Sequence, residues 1–167
     1  MREKPVEFNS LVFNDRSNAD LTQSPFYWIN LTEVDGLFGE EIRYESHPIA
    51  GGDGERSGPP FKSGKQLVLT GEIWGLNLDL LRQGEWALQE AFWTSGKTQL
   101  FYQPWPVYRE DPNERLYFTV RVNQPLVVTD SFTDGMKMKQ NWTVGLRADD
   151  PRPYRESDDS LFFNWQE

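Results

Sequence analysis

The side chains able to do chemistry in this chain are few, and their spacing suits catalysis poorly. His47 is the sole histidine and cysteine is absent. A Ser-His-Asp set has no second histidine in reserve, no Cys-His pair can form, and disulfides and thiolate metal sites are excluded. His47 precedes Pro48 in a predicted turn, the setting of a surface residue. Carboxylates are plentiful, but Glu40-Glu41, Asp149-Asp150 and Asp158-Asp159 are neighbours in sequence. Neighbours on a strand point to opposite faces. Glycoside hydrolysis needs two carboxyl groups ~5–10 Å apart across a cleft, and such pairs do not supply that. The run GGDGER (51–56) has glycines without the Gly-Lys-Ser/Thr ending of a phosphate loop or the ligand ladder of a calcium loop. The expectation is no catalytic residue, no cofactor and no metal. Asn30-Leu31-Thr32 and Asn141-Trp142-Thr143 match a glycosylation sequon, but both fall inside predicted strands.

The elements around these residues are mostly strands. Residues 6–13 (VEFNSLVF) read as an opening strand, and 26–34 (FYWINLTEV) as a second, aromatic and β-branched. Asp35-Gly36 offers a turn, and a short strand at 42–46 follows. In 66–74 (QLVLTGEIW), Leu67, Leu69 and Ile73 share one face. The one helix spans about 77–95. Asn77 caps it, Asp79 complements its positive end, and Gly96 lies past its end. Leu81, Leu88 and Phe92 form its apolar stripe with Ala91 beside them, and Gly84 permits close packing on a sheet. Residues 98–103 return to strand. Leu116, Phe118, Val120 and Val122 then alternate with polar neighbours until Pro125, which marks an edge or a bulge. Asp134-Gly135 turns the chain into a closing strand at about 137–148, where Trp142, Val144, Leu146 and Ala148 alternate with Asn141, Thr143, Gly145 and Arg147. The fold class is mainly β: a sandwich or barrel-like body with one packed helix.

Composition agrees with one domain and adds little about ligands. The 167 residues carry 24 glycines and prolines, favouring turns and short strands. The formal charge of −9 provides no footprint for holding nucleic acid. The N-terminal MREKPVEFNS lacks the apolar segment of a signal peptide. No apolar run approaches the ~20 residues that cross a bilayer, and the lack of cysteine fits a reducing cytosol. The seven tryptophans, at 28, 74, 86, 93, 105, 142 and 165, fall mostly on apolar faces and read as core. A carbohydrate-binding β-sandwich would instead need two or three of them exposed and coplanar.

Four segments together resemble the N-terminal domain of siphophage distal tail proteins. They are VEFNSLVFND at the start, DGLFGEEIRYESHPIAGGDGERSG (35–58), KQLVLTGEIWG with the helix carrying Leu81, Leu88 and Phe92, and VGLRADDPRPY (144–154). The resemblance covers about residues 5–154. It implies a tail-tube-like fold and structural work without catalytic residues. The implied assembly is a homo-hexameric ring at the distal end of the tail tube, joining tube to tail-tip or baseplate proteins. Its lumen would pass DNA without specific binding, and no membrane is involved. It also implies a virion component assembled in the host cytoplasm. A tail-tube subunit is the near alternative. Many family members continue into a second, galectin-like β domain, whose roles do not carry over to these residues.

Two segments are candidates for subunit contact. The stretch 48–65 is rich in Gly and Pro and is too long for an ordinary connection. Gly51, Gly52, Asp53, Gly54 and Arg56 in it form a candidate subunit-contact loop, with the loop at 103–114 second. A domain at 1–154 is expected to precede a tail at 155–167. In that tail Leu161, Phe162, Phe163 and Trp165 need a cover, either their own domain or a neighbouring subunit. A lumen neutral to acidic is expected of a conduit for DNA.

Overall fold

The computed structural model describes residues 6–14, 27–37, 42–43, 46–48, 55–57, 61–62, 64–103, 114–131 and 138–162. The elements are β1 (Glu7–Phe8), β2 (Leu11–Val12), β3 (Tyr27–Asp35), β4 (Ile42–Arg43), β5 (Ser46–Pro48), β6 (Glu55–Ser57), β7 (Phe61–Lys62) and β8 (Lys65–Gly75). The helix α1 (Leu78–Phe92) follows, then β9 (Thr98–Tyr102), β10 (Leu116–Ser131), β11 (Met138–Ala148) and β12 (Tyr154–Arg155). Eight strands make one antiparallel sheet in the order β2-β1-β9-β10-β11-β8-β3, with β12 beside the first residues of β10. Two small ladders, β4–β7 and β5–β6, stand apart from it.

Mainly β architecture with one packed helix matches the expectation, while two local readings change. The opening strand expected at 6–13 is a hairpin, because Asn9 and Ser10 both take positive φ (47° and 67°) and turn the chain. The stretch 48–65, expected to be irregular, contains β6 and β7. Pro125 sits in a bulge, one of the two settings expected of it: β10 runs through it to Ser131 with register shifts on either side of Gln124.

Helix α1 begins where expected. The Asn77 side-chain oxygen accepts from the Leu80 N–H at 2.9 Å, and Asp79 lies in the first turn. Its buried residues are Leu80, Leu81, Gly84, Leu88, Ala91 and Phe92. A Cβ at Gly84 would stand 2.8 Å from Ile73 Cγ2 and 3.0 Å from Tyr27 Cδ2, so the missing side chain sets how closely helix and sheet approach. The helix packs chiefly on β8 and β3.

The core lies between helix and sheet. Trp142, Phe8, Phe13 and Phe118 are its largest fully buried side chains. Phe92 stacks on Phe8 with ring centroids 4.7 Å apart, and Phe13 stacks on Trp142 at 5.5 Å. Aromatic pairs of this kind are worth about 0.5–1.5 kcal/mol beyond the area they bury. Trp142 has room because its cross-strand partner is Gly71. A Cβ there would fall 2.5 Å from the indole ring.

The sheet curls until its two ends meet, though among the described residues no strand ladder closes it into a barrel. Asn14, just past β2, donates its backbone N–H to the Ile29 carbonyl at 3.2 Å. Its side chain donates to the Leu31 carbonyl at 3.0 Å and accepts from the Leu31 N–H at 2.9 Å. Asn14 adopts φ 57°, a conformation that asparagine tolerates better than most residues.

Candidate functional site

The surface that stands out is the helix-free side of β10, β11, β8 and β3, together with the two edges that bound it. Cross-strand register arranges this face in rows. Thr129, Asn141, Glu72 and Asn30 form one; Val127, Thr143, Thr70 and Glu33 form the next; Gln124, Gly145, Val68 and Asp35 follow. The alternation that buries Trp142, Val144 and Leu146 on the helix side turns Asn141 and Thr143 to solvent. Thr, Asn and Gln dominate the face. Its charges are balanced between Glu33, Asp35 and Glu72 on one hand and Lys139, Arg121 and Arg147 on the other. Lys139 pairs with Glu72 and lies over the Trp74 ring at 5.2 Å, while the Trp74 indole N–H donates to Glu72 at 2.9 Å. The Lys139 ammonium, as the nearest donor, holds the Glu72 carboxyl below its usual range.

Both edges of this face are partly open among the described residues. β9 pairs β10 only from Leu116 to Val120, so from Arg121 to Ser131 one side of β10 meets no strand. Val127 in that stretch is 56% exposed. On the opposite edge Asn14 occupies β3 at Ile29 and Leu31, and Glu33 and Asp35 lie beyond its reach. Row by row the open parts are level: Glu33 with Val127, and Asp35 with Gln124.

Beside the open part of β10 sits a cluster of cations. Arg121 and Arg147 are direct cross-strand partners, an arrangement of like charges that costs stability unless an anion relieves it. Asp149 provides that anion. It takes Lys97 at 3.0 Å and Arg121 at 3.3 Å, with Arg147 Nε at 4.0 Å. The hydrogen bond from Lys97 leads in lowering the Asp149 carboxyl below its usual range. Its sequence neighbour Asp150 turns elsewhere, to Arg152 and the Tyr154 hydroxyl. Adjacent carboxylates thus serve separate partners, in a bend past the end of β11 where strand alternation does not apply. A shallow groove of about 500 Å³ opens next to Lys97, between the β1–β2 turn and β9.

The candidate residues named from sequence fall elsewhere. Gly51, Gly52, Asp53 and Gly54 lie outside the described residues, and Arg56 contributes backbone pairing with His47 in the β5–β6 ladder. Leu161 and Phe162 are half-buried on their own domain. Phe162 donates its N–H to the Pro153 carbonyl at 3.0 Å and lies under the Arg155 guanidinium, and Leu161 bridges Tyr154. Phe163 and Trp165 are outside the described residues, as is most of the 103–114 loop. The boundary expected at 154/155 falls within β12. The tryptophan reading needs correction. Trp142 is core, but Trp86 on the outer side of α1 and Trp93, the residue that caps its C-terminus, are 68% and 89% exposed. Their seven-residue spacing equals about two helical turns and puts them on the same side. Among the described residues no group of His, Asp or Glu converges as a metal site, and no helix is long and apolar enough to cross a membrane.

No family model matches the sequence, and no curated protein matches it. Among solved structures, the fold is similar to that of the SPP1 Dit (gp 19.1) protein, described as a paradigm of the hub adsorption apparatus in phages infecting Gram-positive hosts. The TM-score is 0.58 at 16% identity, over 90% of this chain and 51% of that one. The chain therefore spans about half the length of the Dit protein, and the likeness is one of fold.

Proposed function

We propose that this chain is a structural hub protein of a siphophage tail. Six copies form a ring at the distal end of the tail tube, connecting it to tail-tip or baseplate proteins around a channel for DNA. The fold likeness to a phage hub protein over 90% of the chain carries this reading. The two level, half-open sheet edges support it, because a closed ring needs heterologous contacts that return on themselves. Strand directions alternate across β10, β11, β8 and β3, so β3 of one copy meets β10 of the next antiparallel. Six four-stranded faces joined this way give about 115 Å of sheet at 4.8 Å per strand, hence a wall about 37 Å across. The inner surface is then the Thr- and Asn-rich face, whose balanced charge gives a polyanion nothing to hold. Such a protein belongs to the virion, is assembled in the host cytoplasm, and has structural work to do. Leu161, Phe162, Phe163 and Trp165, together with the 51–56 loop, remain candidate contacts to adjacent rings or subunits.

Solution mass by multi-angle light scattering, followed by negative-stain images, tests the reading. A species of six subunits with six-fold symmetry is expected. A monomer that persists at every accessible concentration, alone and with tail-tube protein added, refutes it.

A further inference from the structure

We propose that an ionic lock between copies sets the direction and register of the ring. It joins Glu33 and Asp35 of one copy to the cluster of Lys97, Arg121 and Arg147 on the next. This rests on the ring reading and names the residues that make it specific.

The two halves lie on opposite edges of one four-stranded face. With Asp149 counted, the cluster at the β10 edge carries a formal charge of +2. At the β3 edge Glu33 and Asp35 are exposed and carry −2. Among the described residues neither acid has a cationic partner, and Asp35 accepts only the N–H of Gly36, at 2.8 Å. The cluster is under-neutralised from within. Asp149 alone faces three cations, and Arg147 Nε stays without a hydrogen bond.

The halves also match in height. Asp35 shares a row with Gln124, and Arg121 and Arg147 form the next paired row but one along the same strands. Edge-to-edge docking therefore brings the neighbour's Asp35 within about 7–10 Å of backbone travel from the arginines, a gap that an extended Arg side chain covers, and leaves Glu33 farther along the strand, roughly 14 Å away, where it adds to the negative field facing the cluster. The opposite docking, β10 against β10, would set two +2 clusters together, and β3 against β3 would set acid against acid. Like-charge contacts of this sort exclude wrong pairings more strongly than matched pairs add affinity. A subunit with an overall charge of −9 repels its copies at long range, so a local complementary patch is the element that orients approach.

Charge reversal with rescue tests this. Variant one is Glu33→Lys with Asp35→Lys; variant two is Arg121→Glu with Arg147→Gln; variant three combines all four. Thermal melts of the monomeric fractions check that each is folded. The two partial variants are expected to need at least tenfold higher concentration than the parent to assemble. An equimolar mixture of the two is expected to assemble, because alternation in a six-membered ring sets each variant's β3 edge against an oppositely charged cluster on the other, and variant three assembles within about threefold of the parent. If the parent forms rings and folded partial variants assemble at the parent's concentration, the lock is wrong and the ring stands. If variant three is folded yet stays as impaired as the partial variants, charge pairing is again refuted. If the parent itself never assembles, the ring reading falls and takes the lock with it.

Discussion

Asn14 grips Leu31 by both sides of its peptide, donating to the carbonyl at 3.0 Å and accepting from the N–H at 2.9 Å. One side-chain amide thereby does the work of a strand neighbour. It ties the sheet's last strand to the segment following β2 and leaves less of β3 free for a stray chain to pair with.

Replacing Asn14 with Ala removes both bonds and places alanine at φ 57°. The expected loss is about 2–3 kcal/mol, from unsatisfied backbone groups and the left-handed conformation. Urea denaturation measures it. Asn14→Gly relieves the conformational part and recovers about 1 kcal/mol. The newly opened strand also raises aggregation, read by light scattering at equal concentration.

Gly71 is the least replaceable glycine of the core. A Cβ there would stand 2.0 Å from the Asn30 carbonyl oxygen and 2.5 Å from the Trp142 ring. Gly71→Ala is expected to cost about 1–3 kcal/mol, the range for overpacking, with a near-UV signal change as the indole moves. Gly96→Ala meets nothing within 4 Å and is expected to leave stability unchanged or raised by about 0.4–1 kcal/mol.

Arg115 ties three separate parts of the chain together. It pairs with Glu7 at 2.7 Å, with Glu156 at 2.6 Å through a bidentate contact, and lies over the Phe101 ring at 4.7 Å. Lysine cannot reproduce that fork. Arg115→Lys is expected to cost about 1–2 kcal/mol. It also loosens the segment after β12, seen as faster hydrogen exchange at 155–160 with little change in the helix.

Acid sensitivity has a defined window. Hydrogen bonds from Arg152, then Tyr154, lower the Asp150 carboxyl from 3.8 to about 2. A carboxyl whose folded value lies below its unfolded value stabilises the fold above the unfolded value and loses that contribution as pH falls through the folded one. Asp149, Asp158 and Glu72 shift in the same direction. Stability should thus decline between pH 3.8 and about 2. Asp150→Asn should flatten the decline in circular dichroism titrations while lowering stability at neutral pH.

Trp86 and Trp93 project from the helix into solvent. Exchanging both for Ser is expected to shift unfolding by no more than about 0.5 kcal/mol, checked by thermal melts. A large loss would mean that the outer helix face is covered in the folded subunit.

The strands, the helix and its inward stripe were legible because period alone reveals them. Leu67, Leu69 and Ile73 are fully buried, and Leu81, Leu88 and Phe92 face the sheet as their spacing requires. The β1–β2 hairpin was not, because Asn9-Ser10 interrupts an alternating run without the glycine that usually marks such a turn. The grip of Asn14 on Leu31 spans 17 residues, and no local pattern announces a contact at that range. The cation cluster was hidden for the same reason. Lys97, Arg121, Arg147 and Asp149 meet only through cross-strand register, and an acidic average disguises a basic spot. The exposed tryptophans were misjudged because aromatic content predicts burial in general and says nothing about which helix face a residue occupies.

One strand, β10, is shared between two tasks. Its first five residues pair with β9, and its remainder offers an open side. A chain in which β9 has yet to dock therefore exposes one side of β10 from end to end, without the stop that the finished fold puts at Val120. On the proposed ring, a subunit caught at that stage would be free to slide along its neighbour, so docking of β9 would fix where a junction starts as well as fill an edge.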